Sequence, residues 1–158
     1  MTKLSHAFEH TLKDMYFAEN AIIKALPGVI EAVKDRKLRD DLSAHLTETK
    51  GQVKTLERVF KSVGAKPAGE KCDAIVGLIK ETDGIIDSVP SSSTRDAMLL
   101  GCCQAVEHYE IARYGTLREW AKSLDNVEAH DLLSSILDQE KAANSKLTHL
   151  AVSAINSA

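Results

Sequence analysis

The sequence predicts an all-α protein, and three observations carry that prediction. Apolar residues return at three- and four-residue steps through four long segments, the period of a helix with one buried face. Alanine, leucine, lysine and glutamate dominate and favour helix, whereas aromatics make up only 4% and β-branched runs are rare. No stretch alternates apolar and polar residues as a half-buried strand would.

The first long helix is expected from about Ser5 to Leu26, with Leu4, Phe8, Leu12, Met15, Ile22 and Leu26 as its stripe. Pro27-Gly28 marks a kink, after which the helix can continue through Val29, Ile30 and Val33. Residues 34–37 are polar and read as a turn. The second helix is expected from about Leu38 to Val63 on Leu42, Leu46, Val53, Leu56, Phe60 and Val63, and Gly64 stops it. A loop at Lys66-Pro67-Ala68-Gly69 leads into a shorter helix from about Cys72 to Val89, which Gly77 and Gly84 weaken. Its apolar residues are Ile75, Leu78, Ile79, Ile85 and Ile86. Pro90 to Thr94 breaks the chain, with Ser93 or Thr94 as the expected N-cap.

The third long helix spans roughly Arg95 to Leu124. Its inward positions are Ala97, Leu100, Cys103 or Gln104, Glu107, Ile111, Tyr114, Leu117 and Ala121. The fourth spans roughly Val127 to Ile155, with Leu133, Ile136, Glu140, Ala143, Leu147, Leu150 and Ala154 inward. Two short connections make antiparallel hairpins, and the long middle connection carries its own helix across. The expected architecture is a ferritin-like four-helix bundle of two antiparallel hairpins, with an extra helix in the long crossover, as a single domain over residues 1–158.

Composition narrows the function. Charged residues are 27% of the chain, the net charge is −3 and both signs are interspersed, which argues against a nucleic-acid surface. No apolar run approaches the roughly 20 residues that span a bilayer, and the N-terminus has no signal-peptide core. Cys72, Cys102 and Cys103 show no CxxC motif and read as small buried residues of a reducing cytoplasm.

Against this background four glutamates stand out, because Glu19, Glu107 and Glu140 lie on apolar stripes and Glu48 lies at the flank of one. A buried unpaired carboxylate costs several kcal/mol. Four of them, one per long helix, point to positive charge between them. Two divalent ions bring four positive charges, and hard cations want oxygen ligands. Gln52 and Asn144 follow Glu48 and Glu140 at i+4, on the same helical faces, and each offers a carbonyl oxygen. Di-iron and di-manganese bundles use one Glu from each of two helices and Glu-x-x-His from the other two. Here the i+3 residues are Gly51 and Ala143, so the expected imidazoles are missing and weaker binding follows. Glu110, one turn after Glu107, is a further candidate. A buried network of carboxylates and amides tied to Arg113, Lys50 or Lys141 is the alternative without metal. His45, one turn before Glu48, can face the cluster, though a solvent edge is the preferred reading, and His108 points away from the cluster. Tyr16, Tyr109 and Tyr114 read as packing residues with bonded hydroxyls, and Tyr114 shares a face with Glu107.

The chain resembles the YciE/YciF-like ferritin-like proteins of bacteria. The resemblance is carried by residues 12–19, Ala25-Leu26-Pro27, His45-Leu46-Thr47-Glu48-Thr49 with Gln52, and residues 56–60. It continues through residues 104–115, around Glu107-His108-Tyr109-Glu110-Ile111-Ala112, and residues 140–147. It implies a helical bundle, a homodimer, a stress-linked role and a di-metal centre on Glu19, Glu48, Gln52, Glu107 and Glu140. Gln139 and Asn144 stand as amides where the family often has acids. Two functions compete on this reading. One is a protein with two iron or manganese ions acting on peroxide or oxygen. The other is a non-catalytic helical stress or structural protein with a vestigial site.

Overall fold

In the computed structural model, which describes residues 2–157, the chain forms five α-helices and a terminal turn of 3₁₀ helix. The helices are α1 (Leu4–Ala32), α2 (Arg36–Ser62), α3 (Asp73–Ser88), α4 (Ser93–Ser123) and α5 (Val127–Ser153). Helix α1 packs on α2 and α4 on α5, each pair across a short turn. The pairs then join through α2 with α5 and α1 with α4. Helix α3 lies in the long crossover and covers α1 and α4. The expected bundle of two hairpins with a crossover helix is the observed one.

Local chemistry sets the helix ends. Asp35 caps α2 by accepting from Leu38 N, so the polar turn ends two residues before the expected start. Buried Asp96 braces the same turn from α4, accepting from Lys34 N and Asp35 N. Gly64, at φ 70°, ends α2 where Ala65 N reaches Phe60 O and Gly64 N reaches Lys61 O. Asp125, at φ 55°, makes the same ending on α4, and Asn126 then caps α5. The N-cap of α4 is Ser92, which accepts from Arg95 N, rather than Ser93 or Thr94. Pro27 is exposed within α1 and does not end it.

The core follows a stricter period than the expected stripes. Buried positions on α1 run Phe8, Leu12, Met15, Glu19, Ile22, Leu26 and Val29, in alternating steps of four and three. That alternation is the seam of helices packed nearly antiparallel. The same rule gives Glu107, Glu110, Tyr114, Leu117 and Ala121 on α4. It therefore replaces Ile111, which is half-buried, by Glu110. On α2 it selects Leu38, Leu42, Thr49, Gln52, Leu56 and Val59, leaving Leu46 and Val53 half-buried and Val63 exposed. Leu4 on α1 and Ala154 after α5 are exposed where burial was expected. Of the three cysteines, Cys72 is buried and Cys102 and Cys103 are half-buried, all of them free.

Candidate metal centre

Midway along the bundle the seam changes chemistry. Core positions that would hold leucine instead hold Glu19 on α1, Gln52 on α2, Glu107 and Glu110 on α4, and Glu140 on α5, each at most 2% exposed. Counting back from Gln52 by three and four reaches Thr49 and then His45, whose side chain is 10% exposed. One ligand atom from each of His45, Glu107, Glu110 and Glu140 lies within 4.8 Å of the others, the span of one coordination sphere.

Contacts fix several of these groups. His45 Nε2 is 3.1 Å from Glu107 Oε1. Its Nδ1 faces Glu48 Oε1 at 3.8 Å, toward the rim of the bundle. The Gln52 amide donates to Glu140 Oε1, and Tyr114, fully buried, donates its hydroxyl to Glu19 Oε1. Such outer partners hold ligand carboxylates in one orientation.

Burial dominates the electrostatics. It raises the Glu19 carboxyl to about 8, with the negative Glu140 adding to the shift. It raises Glu107 to about 11, with neighbouring Glu140 second. Glu110 is pushed well above the carboxylate range by burial and then by Glu19, and Glu140 is raised by burial. The His45 imidazole moves the other way, down to about 4, because burial disfavours its cation. It is therefore neutral at pH 7, the form that ligates metal.

The donor set fits hard divalent cations. Glu19 Oε2, Gln52 Oε1, Glu107 Oε2, both Glu110 oxygens and Glu140 Oε2 are buried without a hydrogen-bond partner. With the glutamates ionised these oxygens are unmatched acceptors, which is costly; without a cation the cost is met by retained protons, which let Glu107 bond Glu140 and Glu110 bond Glu19. Among the described residues, the basic side chain that reaches the cluster is the neutral imidazole of His45. Arg113 instead stacks over the Tyr109 ring at 5.4 Å, and Lys50 and Lys141 are exposed. The expected cationic tether of a metal-free network is not what the fold provides.

The sequence-expected residues divide into three groups. Glu19, Gln52, Glu107, Glu110 and Glu140 come together in the buried cluster. Glu48 stays at the rim, with its side chain 36% exposed, as its flanking position foretold. Asn144 is taken up elsewhere, because Gln104 donates to its Oδ1, so the expected match between Gln52 and Asn144 fails. The i+4 step carries Asn144 past the seam, which the half-buried Ala143 occupies instead.

His45 is the residue that sequence reasoning misplaced. A solvent edge was expected, yet the imidazole faces Glu107. Strict alternation of three and four residues along α2 was the signal that could have found it. With His45 included, α2 offers His45-x-x-Glu48 and α4 offers Glu107-x-x-Glu110, while α1 and α5 offer one glutamate each. The one imidazole stands a turn before its glutamate, which stays at the rim, and the second pair is Glu-x-x-Glu, so the two-singles, two-pairs pattern of di-metal bundles is met in outline only. His108 is exposed, its ring at Gln104 O, and the Tyr16 and Tyr109 hydroxyls bond Glu57 and Cys72.

Comparison with known proteins agrees with the fold. Protein YciF of Escherichia coli (strain K12) is 40% identical over 157 residues, covering 99% of this chain and 95% of that one. The crystal structure of that stress protein superimposes with a TM-score of 0.94, covering 99% of both chains. YcfI of Rhodopseudomonas palustris, named as a proposed structural protein, gives a TM-score of 0.91 at 45% identity, covering 93% of this chain and 94% of the other. A Xanthomonas campestris protein at 20% identity and a TM-score of 0.78, covering 98% of this chain and 95% of that one, shares the fold. Residues 3–158 match the family described as a domain of unknown function, DUF892, and the chain belongs to that family.

Proposed function

We propose that the protein is a stress-associated bundle that holds two divalent metal ions, iron or manganese, at its buried carboxylates and uses them on peroxide or oxygen. The observation that carries this reading is the convergence of four buried carboxyl groups, Glu19, Glu107, Glu110 and Glu140, with no cationic side chain of the described residues among them and a neutral His45 beside them. Four carboxylates balance two divalent charges, and a similar chain from Escherichia coli is named a stress protein. When bound, two such ions supply two electrons, which with two protons reduce hydrogen peroxide to two waters or dioxygen to hydrogen peroxide.

The chain's own side chains do the rest. Tyr114 and Gln52 orient Glu19 and Glu140 through the hydrogen bonds they donate. The apolar seam above and below the cluster, with Leu12, Met15, Leu56 and Leu133 fully buried, excludes bulk water and strengthens each electrostatic contact. The homodimer that the resemblance implies and the cytoplasmic location read from the cysteines belong to the same proposal.

A second reading, a non-catalytic structural protein whose carboxylates stay protonated, is favoured by the single imidazole and by the name given to the Rhodopseudomonas palustris relative. Elemental analysis of protein purified without chelator separates the two. The proposal expects about two equivalents of iron or manganese, lost in the Glu19→Ala, Glu107→Ala double variant. Metal-free protein whose melting neither ion changes overturns it.

A further inference from the structure

Two cavities reach the cluster from different sides, and His45 and Glu107 line both. The first, of about 40 Å³, is walled by Ile22 and Leu26 of α1, Leu42 of α2, Ile79 of α3 and Val106 of α4. Thr82 also lines it, but its hydroxyl is committed to Leu78 O. Exposed Asp83 stands at its rim. The second, of about 90 Å³, is lined by Asp41, Glu48 and Lys146 as well as by Ala142, Ala143 and Leu147.

Size and polarity together choose the occupant of the first cavity. One water-sized sphere takes roughly 10–15 Å³ of such space, so the void holds a diatomic molecule. Organic substrates occupy sites of roughly 300–1,000 Å³ and are too large. The body of the first cavity is aliphatic, with polar groups confined to His45 and Glu107 at the cluster end, Asp83 at the rim and the weakly donating thiols of Cys102 and Cys103, so a guest in its body receives few hydrogen bonds. Hydrogen peroxide would give up the hydration of two hydroxyls on entry, whereas dioxygen has none to lose. The polar cavity, with its carboxylates and Lys146, suits peroxide and hydrated cations.

We propose that the apolar cavity between α1, α2, α3 and α4 is a binding site for dioxygen, which delivers it to the His45–Glu107 side of the cluster. Its role in chemistry rests on the di-metal reading, but gas binding does not, so the two can fail separately. The full chain, treated with chelator, is equilibrated with dissolved dioxygen, and methyl relaxation by that paramagnetic gas is read by NMR. Leu42 methyls should relax several-fold faster than those of Leu100 and Leu150, which are equally buried but do not line the cavity. Xenon-pressurised crystals should show density in the same cavity. Ala25→Leu, which fills the cavity wall, should remove both signals. In iron-loaded protein the same substitution should slow oxidation by dioxygen at least tenfold and leave oxidation by peroxide within twofold. Uniform methyl relaxation together with no xenon density in the wild type overturns the site, whatever the metal content. An equal slowing with both oxidants, or none, overturns the delivery role. A chain that binds gas but no iron sinks the di-metal reading and leaves the gas site standing.

Discussion

Among the described residues two groups of histidine and acidic side chains lie close enough to share an ion, and they behave in opposite ways. One is the buried cluster of His45, Glu107, Glu110 and Glu140; the other is His10, Asp14 and Glu70, where α1 meets the loop before α3. In the second group Lys13 Nζ lies 3.4 Å from Glu70 Oε1, His10 Nδ1 lies 2.8 Å from Glu70 Oε2, and both partners of that pair are 47% exposed. Its negative charge is met by the chain's own cations and by water. The His10 contact, with help from Lys13, holds the Glu70 carboxyl below its ordinary value, whereas burial drives Glu107 up to about 11. Proximity of ligating atoms is thus a weak criterion by itself. What distinguishes a site for a cation is a donor set from which the fold has withheld both water and counter-charge.

The contrast can be broken most decisively with metal. Manganese or iron at a hundredfold excess over its dissociation constant should raise the melting temperature of the wild type by about 5–10 °C. The same addition should leave the Glu19→Ala, Glu107→Ala variant unmoved, while His10→Ala with Glu70→Ala keeps the full response. Loss of the response in the surface variant would reverse the roles of the two regions; differential scanning calorimetry decides.

A second test uses pH on chelator-treated protein. Glu19 has a folded pKa of about 8, above its unfolded value, so its contribution is complete at low pH and is lost as pH rises through 8. Glu107, at about 11, keeps its proton throughout that rise. His45 is lowered to about 4, so its contribution is complete above 6.5 and is lost only on acidification toward 4. Between pH 6.5 and 8 the carboxyls act alone, and the metal-free protein should melt at progressively lower temperature. Glu110→Gln should flatten that fall, because it removes one of the retained protons. Glu70, with its lowered value, works only in acid, where its stabilisation disappears as pH falls below the ordinary carboxylate range. A melting temperature flat from pH 6.5 to 8 in metal-free protein would contradict the buried protons.

The smallest effect is expected at the surface group. Glu70→Ala should leave the urea midpoint almost unmoved, because exposed ion pairs contribute little. A clear fall in that midpoint would mean that Glu70 anchors the loop through more than its charge, its backbone N already reaching Lys13 O.

Much of the site was legible because a charged residue on an apolar stripe is conspicuous. Glu19 and Glu140 break otherwise aliphatic runs, and both are fully buried. Glu110 was visible as one turn beyond Glu107, yet the expected stripe ran through Ile111, because a 3.6-residue period leaves the choice between neighbours open. His45 was obscured for the same reason: Leu46 beside it looked like the better core residue. Asn144 was over-read, since an amide at i+4 shares a face with its glutamate without sharing its partners, and Gln104 on the neighbouring helix claimed it.

Sequence alone determined the five helices, their hairpin order and the presence of acid in the seam, because helical period, turn residues and the cost of burying charge are local or compositional facts. Which side chain of each adjacent pair turns inward was decided only when four helices packed together. The seam then settled into alternating steps of three and four, bringing His45 to Glu107, giving Tyr114 to Glu19, and leaving Glu48 at the edge. That choice depends on how one helix is rotated against its neighbours, and no single helix carries that information in its own residues.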